Sequence, residues 1–492
     1  MLVLHVCAEV FPLLKTGGLA DVTAALPPAL IALGCDARLL LPGFPAVCAG
    51  VVARRLIATL PERFGTAVNR LTLGTLPNGV QAYVIEAPAL YDRPGNPYAD
   101  TDNQPYADNY RRFALLGWVA AQLAQGCDPT WKPQVVHAHD WHAGLAAAYL
   151  QADAAVQGRK LAASVITVHN LAYQGNFDYG IFHELGLPDT FFGIDGVEFH
   201  GQVSFLKAGL FYADRITTVS PTYAQEIQQP EQGCGLDGLL RTRAADLVGI
   251  LNGVDAAVWS PRDDAAIAAR YDLNSLSRKA ICRDALQVET GLALQAVAPV
   301  FGVVSRLTEQ KGLQLVVAQM HDILALGGQL VLLGTGDAVL EAAFLTLAAD
   351  HPASVSVEIG YDEAKAHRII AGCDVILVPS HFEPCGLTQL YGLAYGSLPL
   401  VRRVGGLADS VVDCTGQNMA NASATGFVFD AFTNAAFAAA VRRAFGLYQR
   451  RDDWRAVQRQ AMQKCFDWNA SAAKMLALYN QIAPKAGTTG LG

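Results

Sequence analysis

The chain has 492 residues, 52% of them hydrophobic and 16% charged, and a formal net charge of -8. That length exceeds one ordinary domain, and that composition excludes wholesale disorder. A negative balance without a basic run excludes a nucleic-acid surface, so an anionic substrate has to be held by a few local cations.

Ten cysteines are scattered along the chain with no C-x-x-C pair, which fits reduced thiols in a cytoplasmic protein. Residues 1–6 read as a first buried strand, since no basic n-region or cleavage site accompanies them. The longest uncharged stretch, 113–127, is interrupted by Gly and Gln. It is too short for a comfortable span and reads as a buried helix, so no membrane partner is expected.

From the N-terminus, candidate strands fall at 2–8, 37–41, 71–76, 81–86, 134–138, 164–169, 215–219 and 248–251. After an Ala- and Asp-rich stretch the series restarts at 300–304, 329–333, 354–359, 375–378 and 398–402. Near-continuous apolar strands alternating with helical patterns predict an α/β protein with two parallel sheets, each covered on both faces. The expected divisions are 1–253, 254–465 and a last segment, 466–492, made of a helix returning to the first domain and a flexible tail. In such sheets ligands sit beyond the carboxyl ends of the strands.

The polar strings stand at those ends. The first strand leads into Lys15-Thr16-Gly17-Gly18-Leu19-Ala20-Asp21-Val22. Two glycines let the backbone approach a bulky ligand, helix-start amides favour anions, and Lys15 adds a charge. The string therefore reads as a phosphate or diphosphate loop, with a helix-like stretch from 24 to 33 behind it. It is not a Walker loop, because Lys15 precedes the glycines. The string His137-Ala138-His139-Asp140-Trp141-His142 holds three histidines. A polar strand end lining a sugar pocket is preferred there to a metal site, since no second cluster of ligands presents itself. His169-Asn170 opens the next loop. In the second half Arg306 and Lys311 bracket a turn into a helix and suit a diphosphate leaving group. Gly334-Thr335-Gly336 lacks the third glycine of a dinucleotide fingerprint, and Tyr361 is placed to stack on a base. The string from Glu383 through Pro384, Cys385, Gly386, Leu387, Thr388 and Gln389 sets amides toward an anion with a carboxylate just upstream.

Taken together these strings, with Tyr91-Asp92-Arg93-Pro94-Gly95, Asn252-Gly253-Val254-Asp255 and Gly405-Gly406-Leu407-Ala408-Asp409, resemble the bacterial glycogen synthases and plant starch synthases over nearly the whole chain. The resemblance implies a GT-B architecture, two Rossmann-like domains with parallel sheets facing a central cleft. It implies retaining transfer of glucose from ADP-glucose to the 4-hydroxyl of an α-1,4-glucan such as glycogen. By that analogy Lys15, Gly17, Gly18 and Asp21 bind the donor from the first domain, while Arg306 and Lys311 hold its diphosphate. Gly386, Leu387 and Thr388 add amides, and Tyr361 contacts the adenine. His169, Asn170, Asn252, Glu383 and Cys385 surround the glucosyl group, and Asp140 lies near the reacting centre. Catalysis falls to Glu383, Arg306, Lys311, His169 and Asp140, without cofactor or metal.

One departure discriminates among relatives. Sucrose- and trehalose-phosphate-type transferases place a second Glu eight positions after the first, where this chain has Tyr391. Two readings remain beside a synthase. A glucan phosphorylase would require pyridoxal phosphate, and a non-catalytic glucan-binding protein would show a broken constellation. The sequence leaves the oligomeric state open.

Overall fold

The computed structural model describes residues 1–294 and 297–483. The tail expected at 487–492 lies outside them. The chain forms two compact units, one of Met1–Gly253 with the segment from Trp468, the other of Val254–Asp467.

The first unit contains β1 (Leu2–Val6), β2 (Asp36–Pro42), β3 (Val52–Leu60), β4 (Asn69–Thr75), β5 (Gln81–Glu86), β6 (Val135–His139), β7 (Ala163–Val168), β8 (Asn176–Asp178), β9 (Glu198–Phe199), β10 (Gln202–Ser204), β11 (Arg215–Thr218) and β12 (Leu247–Gly249). Nine of these make one sheet in the order β12-β11-β7-β6-β1-β2-β5-β4-β3, and β8, β10 and β9 form a small ribbon. The strands β1, β6 and β7 are buried on both faces, as strands covered by helices must be. The sheet is not parallel throughout. The strand β3 pairs antiparallel with β4, and β4 antiparallel with β5. The strand β3 is an exposed edge strand, and Arg54 and Arg55 interrupt its apolar run, which hides it from a search for such runs.

The second unit contains β13 (Val300–Val304), β14 (Gln329–Gly334), β15 (Val355–Ile359), β16 (Val375–Val378), β17 (Leu398–Arg402) and β18 (Phe427–Phe429). All pairs are parallel, in the order β15-β14-β13-β16-β17-β18. This is the doubly wound order 3-2-1-4-5-6, which reverses direction between β13 and β16. The first sheet reverses likewise between β1 and β6.

The first helix, Gly18–Ala32, begins six residues before the start expected at 24. Gly18, read as part of the loop ahead of the helix, is already in the first turn, and Asp21 there complements the positive end of the helix dipole. The last helix, Trp468–Ile482, packs on it. Trp468, Ala472, Met475, Leu478 and Tyr479 share a buried cluster with Val22, Leu26 and Leu30. The uncharged stretch around Phe113 lies in a buried helix, Asn109–Gln125. All ten cysteines are free thiols. Among the described residues no helix is long and apolar enough to cross a membrane.

Candidate functional site

In both sheets the charged and polar strings follow the strands that flank the point of reversal, where doubly wound sheets bind ligands. Each unit therefore carries its own cluster.

In the second unit β13 delivers Arg306 and Lys311, and β16 delivers Glu383. Arg306 is exposed. Lys311 ends a short turn, Glu309–Lys311, and its Nζ lies 2.7 Å from Glu383 Oε2. The same oxygen accepts from Ser380 Oγ at 2.8 Å. Glu383 is buried, so the pair is well shielded from water. The two loops are stitched together by His381 N donating to Gln310 O at 2.8 Å. Gly312, at φ +67°, presses on the second loop so closely that a Cβ would lie 2.1 Å from Pro379 O. At Gly405 and Gly406 a Cβ would lie 2.0 Å from Glu383 O and 2.1 Å from Cys385 O. The Gly-Gly string near residue 405 is thus the seat on which the Glu383 loop rests.

The buried Cys385 and the turn at Gly386 lead into the helix Thr388–Tyr395. Gln389 Nε2 donates to the carbonyls of Cys385 and Gly386 at 2.9 Å each, which locks the turn below the helix start. Leu387 is the N-cap position and Thr388 the first helical residue. Tyr361 follows the end of β15 with an exposed ring. Tyr391, where some relatives carry a carboxylate, instead stacks on Trp259 with ring centroids 3.8 Å apart, and Trp259 stacks on His367 at the same spacing.

In the first unit Lys15 Nζ forms an ion pair with Asp21 Oδ1 at 3.0 Å and sits 5.3 Å from the Phe11 ring centroid. The structure thus brings two of the expected donor-binding residues together. The loop is anchored by a carboxylate that sequence reasoning missed. Glu9, 2% exposed, accepts from Thr16 N and from Thr16 Oγ1 at 2.6 Å each, and from the Tyr98 hydroxyl. Its signal was a lone carboxylate inside the apolar run Cys7-Ala8-Glu9-Val10. Gly17 is extended at φ -160°, and a Cβ there would meet nothing within 4 Å. Glycine at 17 therefore keeps space open above the loop rather than meeting a need of the chain.

Asp140 follows β6 and takes φ +55°, an unusual left-handed conformation for a residue with a side chain. Its Oδ1 accepts from His169 N at 2.7 Å and more weakly from Asn170 N at 3.5 Å. Burial lifts its carboxyl from 3.8 to about 7, against the lowering effect of those amides. His169 and Asn252 line one small cavity with His139, Thr167 and Thr217.

The histidine string is mostly internal. His137 and His139 are fully buried, and His142 is 6% exposed. His137 bonds the Tyr479 hydroxyl at 2.6 Å and Thr167 Oγ1 at 2.5 Å. His142 stacks on Tyr98 with centroids 4.6 Å apart. The third member of a cluster comes from β1. His5, His137 and His139 bring ligand nitrogens within 4.8 Å of one another, a grouping hidden by more than 130 residues of separation. Tyr91 is likewise a core residue, its hydroxyl donating to Arg112 O at 2.7 Å.

Two Rossmann-like units with cations, amides and carboxylates gathered at their switch points define a GT-B glycosyltransferase. The comparisons with known proteins agree. Residues 2–242 match the starch synthase catalytic domain family, and residues 292–461 match glycosyl transferases group 1. The chain is 58% identical to a glycogen synthase of Francisella philomiragia over 98% of its own length and 100% of that protein. It is 56% identical to the glycogen synthase of Francisella tularensis subsp. novicida, covering 98% and 99%. Among solved structures, the catalytic domain of starch synthase IV from Arabidopsis thaliana bound to ADP and acarbose aligns with a TM-score of 0.88 and 31% identity, over 98% of this chain and 99% of that one. A sucrose-phosphate synthase from Thermosynechococcus elongatus shares the fold, with a TM-score of 0.58 and 16% identity over 98% of each chain. The chain belongs to the glycogen and starch synthase family.

Proposed function

We propose that the chain elongates glycogen, transferring glucose from ADP-glucose to the non-reducing 4-hydroxyl of an α-1,4-glucan with retention at the anomeric carbon. The observation that carries this reading is the shielded Lys311–Glu383 pair at the switch point of the second sheet. Arg306 and Lys311 take the negative charge that grows on the diphosphate as the glucosyl bond breaks, which is electrostatic catalysis aimed at developing charge. The backbone of Gly386, Leu387 and Thr388 adds donors at a helix start, and Tyr361 offers a face to the adenine. Glu383 and Cys385 border the glucosyl group.

From the first unit, Lys15, Gly17, Gly18 and Asp21 serve the donor, and His169, Asn170 and Asn252 serve the sugar, with Asp140 near the reacting carbon. No metal and no cofactor is invoked in this scheme. The retaining step is proposed to be a same-face substitution in which the leaving phosphate helps to deprotonate the acceptor. In support, Glu383 is committed to Lys311 and Ser380, and burial favours the protonated form of Asp140. Neither carboxylate is well disposed as a nucleophile. The cytoplasm is the proposed compartment.

The test is incorporation of labelled glucose into glycogen by the purified protein, from ADP-glucose and separately from UDP-glucose. Preference for ADP-glucose is expected. Use of UDP-glucose alone would overturn the nucleotide assignment, and no incorporation from either would overturn the transferase reading. A glucosyl ester trapped on Glu383 or Asp140 would overturn the same-face step.

A further inference from the structure

Three imidazoles stand in file from the first strand to the candidate site. His5 Nδ1 lies 3.1 Å from His139 Nε2, and His139 Nδ1 lies 3.0 Å from His169 Nε2. The rings are near-parallel, with centroids 5.4 and 5.3 Å apart. His5 and His139 are fully buried, whereas His169 is half-buried at the end of β7. Burial keeps His5 and His139 neutral, lowering His5 to about 3 and His139 well below its ordinary value, and the covered part of His169 disfavours its charged form too.

A neutral imidazole carries one N–H, and each inter-ring hydrogen bond needs one proton. Only two arrangements satisfy both bonds. In the first, His5 Nδ1–H donates to His139, His139 Nδ1–H donates to His169, and His169 keeps its own proton on Nδ1. In the second every donation reverses, and His169 Nδ1 is bare. The far end of the file decides between them. His5 Nε2 is buried and has no hydrogen-bond partner among the described residues. The second arrangement makes that atom an orphaned buried N–H, whereas the first leaves it a lone pair. Orphaned buried N–H groups are the rarer of the two.

We propose that His139 and His5 are positioning residues that hold His169 in its Nδ1–H tautomer, so that His169 meets the substrate as a hydrogen-bond donor. The substrate side of this inference rests on the transferase reading, since a fixed donor suits a sugar or phosphate oxygen. The closeness of His5, His137 and His139 does not make a metal site instead. Both nitrogens of His137 and both of His139 are already engaged in hydrogen bonds, which leaves a metal ion only His5 Nε2.

The experiment is imidazole nitrogen NMR of the full chain labelled at histidine, with His169 assigned from the spectrum of His169→Gln. Without substrate, His169 is expected to be protonated on Nδ1, the form that a free histidine side chain disfavours. His139→Leu should release His169 to Nε2–H and lower kcat by about 10–100-fold, the range known for partners that orient a ligating histidine. His139→Gln, whose amide can donate to His169 and accept from His5, should keep the Nδ1–H form and restore most of kcat. A packing role predicts the reverse ranking, with Leu better tolerated than Gln at this buried position. Nε2–H on His169 in the unsubstituted protein overturns the proposal, and that spectrum decides even where His139→Leu fails to fold. The tautomer is read without substrate. A fixed Nδ1–H with no glucosyl transfer would therefore sink the transferase reading and leave the relay standing.

Discussion

Asp140 is a residue whose placement costs stability. Its carboxyl is buried and titrates near 7 where an ordinary one titrates at 3.8, so the folded state disfavours the ionised form. The unfolded chain gives up that proton near pH 4 and the folded chain only near pH 7. Stability from this group is therefore complete below pH 4, falls as pH rises toward 7 and levels off above. Linkage at about 1.4 kcal/mol per pH unit makes the loss about 4 kcal/mol. Asp140→Asn keeps an oxygen to accept from His169 N and tolerates the left-handed backbone. The Asn variant should be more stable than the parent at about pH 8, by up to that amount, with the gain vanishing near pH 4. Urea unfolding at the two pH values measures it. Equal stability at both would show that Asp140 is not held protonated. Under the role proposed for Asp140 near the reacting carbon, activity should fall in the same variant.

At the scale of elements, β1, β6, β7 and the residues that follow them carry five histidines, four of them buried and His169 half-buried. Burial lowers His5, His142 and His169 to about 3, and His137 and His139 well below 6.5. A base that resists protonation in the fold but protonates when unfolded contributes stability above pH 6.5 and loses it as pH falls. Each such histidine steepens the loss by up to about 1.4 kcal/mol per pH unit below that point. This slope opposes the one from Asp140 and outnumbers it. The unfolding midpoint should therefore drop steeply between about pH 6.5 and about pH 5.5, and a flat profile there would contradict the neutral file.

The same elements show what a sequence can and cannot disclose. The strands on either side of each reversal, and the loops carrying Lys15, Arg306, Lys311 and Glu383, were legible because local apolar runs and local charge mark them. His5 and Glu9 were not, because their meaning lies in Tyr98, His139 and Thr16, which only the fold brings near. The edge strand β3 was hidden by its exposed arginines, and the early start of the first helix by glycines that normally end one.

At the scale of the molecule, the second unit is an insertion in the first. The chain leaves the first unit at Gly253 and re-enters it at Trp468. The ends of the inserted unit meet, since Val254 N donates to Phe466 O at 2.6 Å and Val254 pairs with Asp467 as a β-bridge. The inserted unit also has its own apolar cores, one around Phe301, Leu330 and Phe427, the other around Trp259, Ile369 and Tyr395. A domain whose ends adjoin and whose core is its own can be excised without breaking its packing. The first unit lacks that independence. Its helix Trp468–Ile482 covers Val22, Leu26 and Leu30, bonds His137 through Tyr479, and bonds Leu251 O through Ser471. Residues 254–467 alone should therefore unfold cooperatively in a thermal melt followed by circular dichroism. Residues 1–253 alone should aggregate, because they expose the apolar face that this helix covers. Joining 253 directly to 468 through a short Gly/Ser linker should restore a soluble, cooperatively melting first unit, because the two chain crossings are neighbours. Equal behaviour of 1–253 with and without the helix would show that the returning segment adds nothing to the core of the first unit.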